Sequence, residues 1–230
     1  RDELAQTYRI APAEKFVVVP LGLDLEPYVS APRRTGAFRT EWGIPPDAPL
    51  VGIVGRLVPI KNHALFLQAA RRVREQVPGA RFAIVGDGEL RAALEAQADA
   101  PGLAGAVTFT GFLRDLRPVY SDLDLLVIAS DNEGTPVSII EALAAGVPVV
   151  STAVGGVPDL LEGGRYGALV PPGDADALAG AMITALGALQ ADRQDIRRAI
   201  GEAYGIERLA ADLGALYRAL LADKRGRAAQ

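Results

Sequence analysis

Short apolar runs alternate with amphipathic stretches along most of this 230-residue chain. Leu50-Val51-Gly52-Ile53-Val54 is apolar without a break, as strands buried on both faces of a parallel sheet are. A helix is predicted over 62–77, with Leu65, Phe66, Ala69, Ala70 and Val73 at helical spacing, stopped by Pro78-Gly79. The alternation repeats. Strands are predicted at 81–85, 107–110, 124–129, 147–151 and 167–170. Helices are predicted at 90–98, 116–120, 137–145, around 160–161, and from a cap at Asp174 to about Leu186. Further helices fall at about 193–203 and 206–222, with a frayed tail over 223–230. Ahead of this series lie a short helix over 2–9 and a short strand, Phe16-Val17-Val18-Val19. A Pro-, Gly- and Arg-rich connecting segment over 26–49 follows, with one helix near 38–42. Regular strand–helix alternation defines a doubly wound, Rossmann-like parallel sheet of about six strands.

The stretch Glu133-Gly134-Thr135-Pro136-Val137-Ser138-Ile139-Ile140-Glu141 carries the most chemistry. It follows a core strand and opens a helix, so it sits at the carboxyl edge of the sheet, where open α/β folds bind ligands. Thr135 suits the N-cap and Pro136 the first helical position. The N–H groups of Val137 and Ser138 would then face an anion. Glu133 and Glu141 flank that point, and ionised carboxylates suit vicinal hydroxyls. A phosphate site between two hydroxyl-reading carboxylates describes a sugar nucleotide. At the end of the first core strand, Gly55 permits a tight exit. Arg56 and Lys61 are placed to converge on a diphosphate, the one as a fork, the other as a point charge.

Other features are ambiguous on sequence alone. Val85-Gly86-Asp87-Gly88 lacks the third glycine of a dinucleotide fingerprint; Gly86 either admits a flat ring or simply turns the chain. Phe112 and Leu113, after Gly111, either meet a base or pack. Gly155-Gly156 is either a close backbone approach or a loop. Asp122-Leu123-Asp124 is not read as a metal site, because Asp124 enters a buried strand with no third ligand near. His63 is expected to be an exposed helix-start residue rather than a general base.

Composition narrows the classes. Half the residues are hydrophobic and net charge is −4, so no basic field invites nucleic acid. There is no cysteine and one histidine, which removes thiol and zinc–thiolate chemistry and any site built on several histidines. No apolar run reaches the ~18 to 20 residues of a membrane span. The chain starts at Arg1 and reads as part of a longer protein.

The ordered series Val19-Pro20-Leu21-Gly22-Leu23-Asp24, Gly55-Arg56-Leu57…Lys61, Val85-Gly86-Asp87-Gly88, Gly111-Phe112, Glu133-x7-Glu141 with Ala145-Gly146-Val147-Pro148-Val149-Val150, Gly155-Gly156, and Gly167…Val170-Pro171-Pro172-Gly173-Asp174 resembles the donor-binding, C-terminal half of a GT-B glycosyltransferase, of the large retaining family often called GT4. The likeness runs over about 15–222. It implies that Arg56, Lys61 and Glu133 act in catalysis, the two cations on the diphosphate and Glu133 on the transferred sugar. It implies donor contacts from Gly55, Gly86, Phe112, Leu113, Gly134, Thr135, Pro136, Val137, Ser138 and Glu141, the last on the nucleotide ribose. The implied donor is a nucleotide-diphosphate sugar, with UDP the expected nucleotide. No metal or other cofactor is implied. The activity is sugar transfer with retention of configuration; the alternatives are a non-catalytic sugar-nucleotide-binding module or an epimerase. An acceptor-binding domain would precede this region, leaving the chain inactive by itself. On this reading 1–49 is a linker with the first strand, 50–190 the nucleotide-sugar domain, and 191–230 helices that pack on the missing domain. Leu209, Leu213, Leu216 and Leu220 are then expected to be partly exposed. The expected location is the cytoplasm, with any peripheral membrane contact through the missing domain. Leu21 departs from the asparagine usual before Gly22.

Overall fold

The structure is a computed structural model that describes residues 3–188 and 193–228. Six strands form one sheet: β1 Leu50–Val54, β2 Arg81–Val85, β3 Val107–Gly111, β4 Leu125–Ile128, β5 Val149–Thr152 and β6 Ala168–Val170. Their order is β3-β2-β1-β4-β5-β6 and every neighbouring pair is parallel. The chain runs outward from β1 to β3, then returns to place β4 on the other side of β1. That reversal leaves a crevice at the carboxyl ends of β1 and β4.

The helices are α1 Glu26–Val29, α2 Ala37–Glu41, α3 His63–Gln76, α4 Arg91–Ala98, α5 Arg117–Asp122, α6 Val137–Ala144, α7 Val157–Leu160, α8 Ala175–Gly187, α9 Gln194–Tyr204 and α10 Ile206–Ala228. Period-two alternation sends Val51, Ile53, Phe82, Ile84, Leu125 and Val127 into one core with Phe66 and Val73 of α3, Leu94 of α4 and Leu178 of α8. Leu50, Leu126 and Ile128, on the other pleat, are equally buried. Gly52 has a packing reason: a Cβ there would lie 2.6 Å from Leu123 Cδ2.

Two compact units arise: Pro27–Ile200, and the chain ends Arg1–Glu26 with Gly201–Gln230. In the smaller unit, Arg208 donates to the carbonyls of Pro20 and Leu21, and Leu23 makes a single parallel bridge with Gly205. Phe16–Val19 joins no ladder among the described residues, and Val17 and Val18 are exposed. The expected strand is absent because no neighbour supplies hydrogen-bond partners. The expected early helix is one wide turn, Glu3–Thr7; Asp2 lies outside the described residues. Leu209, Leu213 and Leu216 are partly exposed and Leu220 is 56% exposed. Where fraying was expected, α10 continues to Ala228, since nothing in Asp223-Lys224-Arg225 breaks a helix; 229–230 lie outside the described residues. So does the expected boundary at 190–191.

The segment after Pro27 is tied to the sheet by a buried ion pair. Arg39, 4% exposed, donates to Asp124 Oδ2 at 2.8 Å and to the carbonyls of Asp122, Pro45 and Ala48. Asp124 also accepts from Leu50 N at 2.9 Å, and Asp122 from Gly36 N and Arg39 N. The two aspartates are thus occupied in holding backbone. Asp124→Ala would leave the Arg39 cation buried without its counter-charge, an expected loss of roughly 3–5 kcal/mol. Urea unfolding checks it; a change under about 1 kcal/mol would mean that the pair does not anchor this segment.

Candidate functional site

The crevice is built from loops that are pressed together. After β1, Gly55 N donates to Val85 O and Leu57 N to Asp87 O. Gly86 has φ +137°, and a Cβ there would lie 2.0 Å from Gly55 O; a Cβ on Gly88 would lie 2.5 Å from Leu57 O. The glycines therefore permit loop-on-loop contact. Beside them opens a cavity of about 440 Å³ whose walls include Gly55, Arg56, Gly86, Phe112 and Leu113. Phe112 is 79% exposed, so it does not pack into the core. Arg56 is exposed, and its side chain has no hydrogen-bond or ion-pair partner among the described residues.

Lys61 ends a short turn, Pro59–Lys61, ahead of α3. Its Cε runs 4.0 Å from where a Gly55 Cβ would stand. Its Nζ reaches Glu133 Oε1 at 2.6 Å, across from the β4 side. Glu133 Oε1 also accepts from Ser130 Oγ at 2.6 Å. Glu133 Oε2 takes no hydrogen bond from the described residues. The loops on the two sides are joined again by Asp131 N to Ile60 O and by Asn62 Nδ2 to Asp131 Oδ1, both 2.9 Å. Asn62 caps α3 from the left-handed region, φ 48°, by accepting from Leu65 N.

The Glu133–Gly134 backbone rests on Gly155 and Gly156. A Cβ on Gly155, whose φ is +53°, would lie 1.7 Å from Glu133 O, and one on Gly156 2.3 Å from Gly134 O. Gly156 N donates to Glu133 O at 3.2 Å. Of the two readings left open by the sequence, close approach is the one found. Helix α6 starts at Val137 as expected, but with Pro136 as its cap in place of Thr135, which makes no side-chain cap bond among the described residues. Proline caps here through its extended backbone, φ −69° and ψ 112°. The N–H groups of Val137 and Ser138 have no residue four back inside the helix. Gly134, Thr135 and Val137 are exposed, Pro136 is buried and Ser138 is half-buried.

Glu141, one turn further in, is half-buried. Its Oε1 accepts from Tyr28 Oη at 3.1 Å and its Oε2 from Tyr120 Oη at 3.0 Å. Burial raises its pKa, while the hydroxyls of Tyr120 and Tyr28 oppose the rise. Sequence reasoning missed both tyrosines. They lie 113 and 21 residues away, beyond any local pattern.

His63 is 1% exposed, not exposed as expected. The first turn of α3 faces the core here, and neither ring nitrogen has a hydrogen-bond partner among the described residues. Burial, with Lys61 beside it, lowers its pKa to about 4. The unfolded chain, with an imidazole near pKa ~6.5, binds more protons between these values. The neutral side chain's contribution is thus complete above pH ~6.5 and is lost as pH falls toward 4. Relative to His63→Leu, the protein is expected to lose roughly 2 kcal/mol between pH 7.5 and 5. Urea midpoints at the two pH values measure this; a parallel response in both proteins would contradict a buried neutral imidazole.

A doubly wound sheet with facing cation and carboxylate at its switch point belongs to the crevice-binding class of α/β proteins. The chain belongs to the glycosyl transferases group 1 family, whose model matches residues 48–188. A 2-deoxystreptamine N-acetyl-D-glucosaminyltransferase from Streptomyces fradiae is 38% identical over 167 residues, 71% of this chain and 40% of that protein. The chain spans about two fifths of the length of the curated relatives it matches. Among solved structures, Anabaena Alr3699/HepE in complex with UDP has a TM-score of 0.84 at 24% identity, over 94% of this chain and 61% of that one; at this identity the likeness is one of fold. Sucrose-phosphate synthase from Thermosynechococcus elongatus has a TM-score of 0.79 at 29% identity, over 96% and 57%. The sheet and its flanking helices match the GT-B fold.

Proposed function

We propose that this chain is the donor-binding part of a retaining glycosyltransferase, with the acceptor-binding domain lying outside it, so that the chain alone does not turn over. The observation that carries this is the junction at the β1/β4 switch point. There Lys61 meets Glu133 at 2.6 Å, beside a cavity that Arg56 borders. The donor is a nucleoside diphosphate sugar, with UDP first in expectation because the Anabaena neighbour is described in complex with UDP. In this reading the base enters the cavity against Phe112, Leu113 and Gly86. The diphosphate meets Arg56, Lys61 and the start of α6. Glu141 takes the ribose hydroxyls, and Glu133, through its free Oε2, a sugar hydroxyl.

The chemistry follows from charge. As the glycosidic bond breaks, negative charge collects on the departing diphosphate and positive charge on the sugar. Fixed cations and a helix N-terminus favour the former without reorganising. The proposed reaction uses no metal; Asp122 and Asp124, an Asp-x-Asp pair, are engaged by backbone amides and arginines. Among the described residues no helix is long and apolar enough to cross a membrane. Membrane contact, where it occurs, is assigned to the part outside this chain.

Calorimetric titration with UDP, GDP and ADP tests the reading, beside Glu141→Ala. Binding that selects one nucleotide and is lost in the variant is expected. Because the charged carboxylate is the hydroxyl acceptor and its pKa is raised, affinity is expected to fall in mild acid, above the ordinary glutamate range near 4.3. A well-folded chain that binds none of the three would defeat the proposal. With a nucleotide sugar and no acceptor, conversion to an epimeric sugar nucleotide would replace transferase by epimerase.

A further inference from the structure

We propose that Tyr28 and Tyr120 are positioning residues for nucleotide recognition, holding Glu141 charged and in one orientation so that its two remaining lone-pair directions meet the vicinal hydroxyls of the ribose; the role rests on the donor-site reading above. A glutamate on a helix surface is free to rotate about its side-chain bonds, and ordering it costs entropy. Here one hydroxyl engages each oxygen, at 3.1 and 3.0 Å. Two donors on opposite oxygens fix the carboxylate plane. An ionised carboxylate has about four acceptor directions, so one on each oxygen is left.

The two tyrosines differ in what they need. Tyr120 is fully buried, and its hydroxyl must find a partner wherever it stands. Tyr28 is half-buried and could be satisfied by water, so its bond to Glu141 is the more informative one. Its ring meets that of Tyr120 edge to face, with centroids 5.8 Å apart. The backbone around it is held in turn. Buried Arg197 of α9 donates to the carbonyls of Tyr28, Val29 and Ala31. Arg197 passes over Gly146, where a Cβ would lie 3.1 Å from its Cδ. Glu141 is thus braced from α5 and, through α1, from α9.

The hydroxyls also set the charge. Burial favours the neutral acid, which carries a proton on one oxygen and so loses the acceptor direction that a second ribose hydroxyl would use there. The tyrosines act against this. The charged groups around Tyr28 are Asp115 and Arg117, paired with each other at 2.6 Å. Neither shifts Glu141, whose only other influence is burial.

The test compares UDP with 2′,3′-dideoxyuridine diphosphate by calorimetry in the wild-type chain, Tyr28→Phe and Tyr120→Phe. Tyr28→Phe is expected to weaken UDP roughly fivefold to tenfold and to leave the dideoxy ligand nearly unchanged. It should also move the acid limit of UDP binding to higher pH. Tyr120→Phe should act in the same sense, and Tyr28→Phe keeps the test open if that buried change impairs folding. Equal weakening of both ligands, with the acid limit unmoved, would reduce the tyrosines to packing and overturn the proposal. A wild-type chain that binds UDP and the dideoxy ligand equally would overturn it while leaving the donor site standing. A folded wild-type chain that binds neither would remove the donor-site reading, and this role with it.

Discussion

Lys61→Ala is expected to weaken UDP binding by about ten- to a hundredfold and to destabilise the chain by roughly 3 kcal/mol. The two effects have separate causes. A charge-assisted contact to phosphate contributes about 1.5–3 kcal/mol, which sets the loss of affinity. The stability cost comes from Glu133, whose side chain is 8% exposed and would keep only the Ser130 hydroxyl on Oε1. Removing one partner of a buried pair costs about 3–5 kcal/mol, and Lys61, 28% exposed, puts this pair at the low end. Glu133→Gln with Lys61→Ala should recover most of the stability and none of the affinity. Unchanged UDP affinity in folded Lys61→Ala would remove the lysine from the diphosphate site.

Gly155→Ala is the second large effect expected. The added carbon would stand 1.7 Å from the Glu133 carbonyl oxygen, at φ +53°. No side-chain rotation relieves a clash between Cβ and backbone, so the 133–136 loop must move. Gly173→Ala is the control. Its φ is +75°, yet a Cβ there meets nothing within 4 Å. It should cost only the left-handed penalty of about 1–2 kcal/mol and leave ligand binding alone. Gly155→Ala should cost at least twice as much, and should reduce nucleotide-sugar affinity tenfold or more because the sugar and phosphate contacts shift together. If the two alanine variants behaved alike, the loop would not depend on that close approach.

The sheet was legible because most of its strands are short apolar-rich runs between helical stretches, and Leu50–Val54 and Arg81–Val85 fall where the sequence puts them. Phe16–Val19 has the same composition and no ladder, since a strand needs a neighbour that composition does not supply. Most helix starts were readable to within a residue, but α7, read around 160–161, begins at Val157, and α1 lies in a stretch read as connection. Pro136 rather than Thr135 caps α6, because proline's fixed φ already suits the turn. His63 was misplaced because a polar residue in a first turn normally faces water, and here that turn faces the core.

Within the site, the sequence placed Arg56, Lys61, Glu133 and Glu141 at one edge of the sheet through strand order and helix starts. It could not say that Lys61 pairs with Glu133, that Gly155 and Gly156 brace the Glu133 loop, or that Tyr28 and Tyr120 hold Glu141. Each of these is a contact between segments far apart in the chain. The Arg39–Asp124 pair was hidden for the same reason, in a stretch that reads as mere connection.

The most direct measurement is an amide NMR titration of this chain with UDP. The account predicts shifts concentrated at Gly55, Arg56, Gly86, Leu113 and over 134–141, saturating together. Shifts that gather instead at the amino ends of the strands, or between α3 and α8, would contradict a nucleotide site at the β1/β4 crevice.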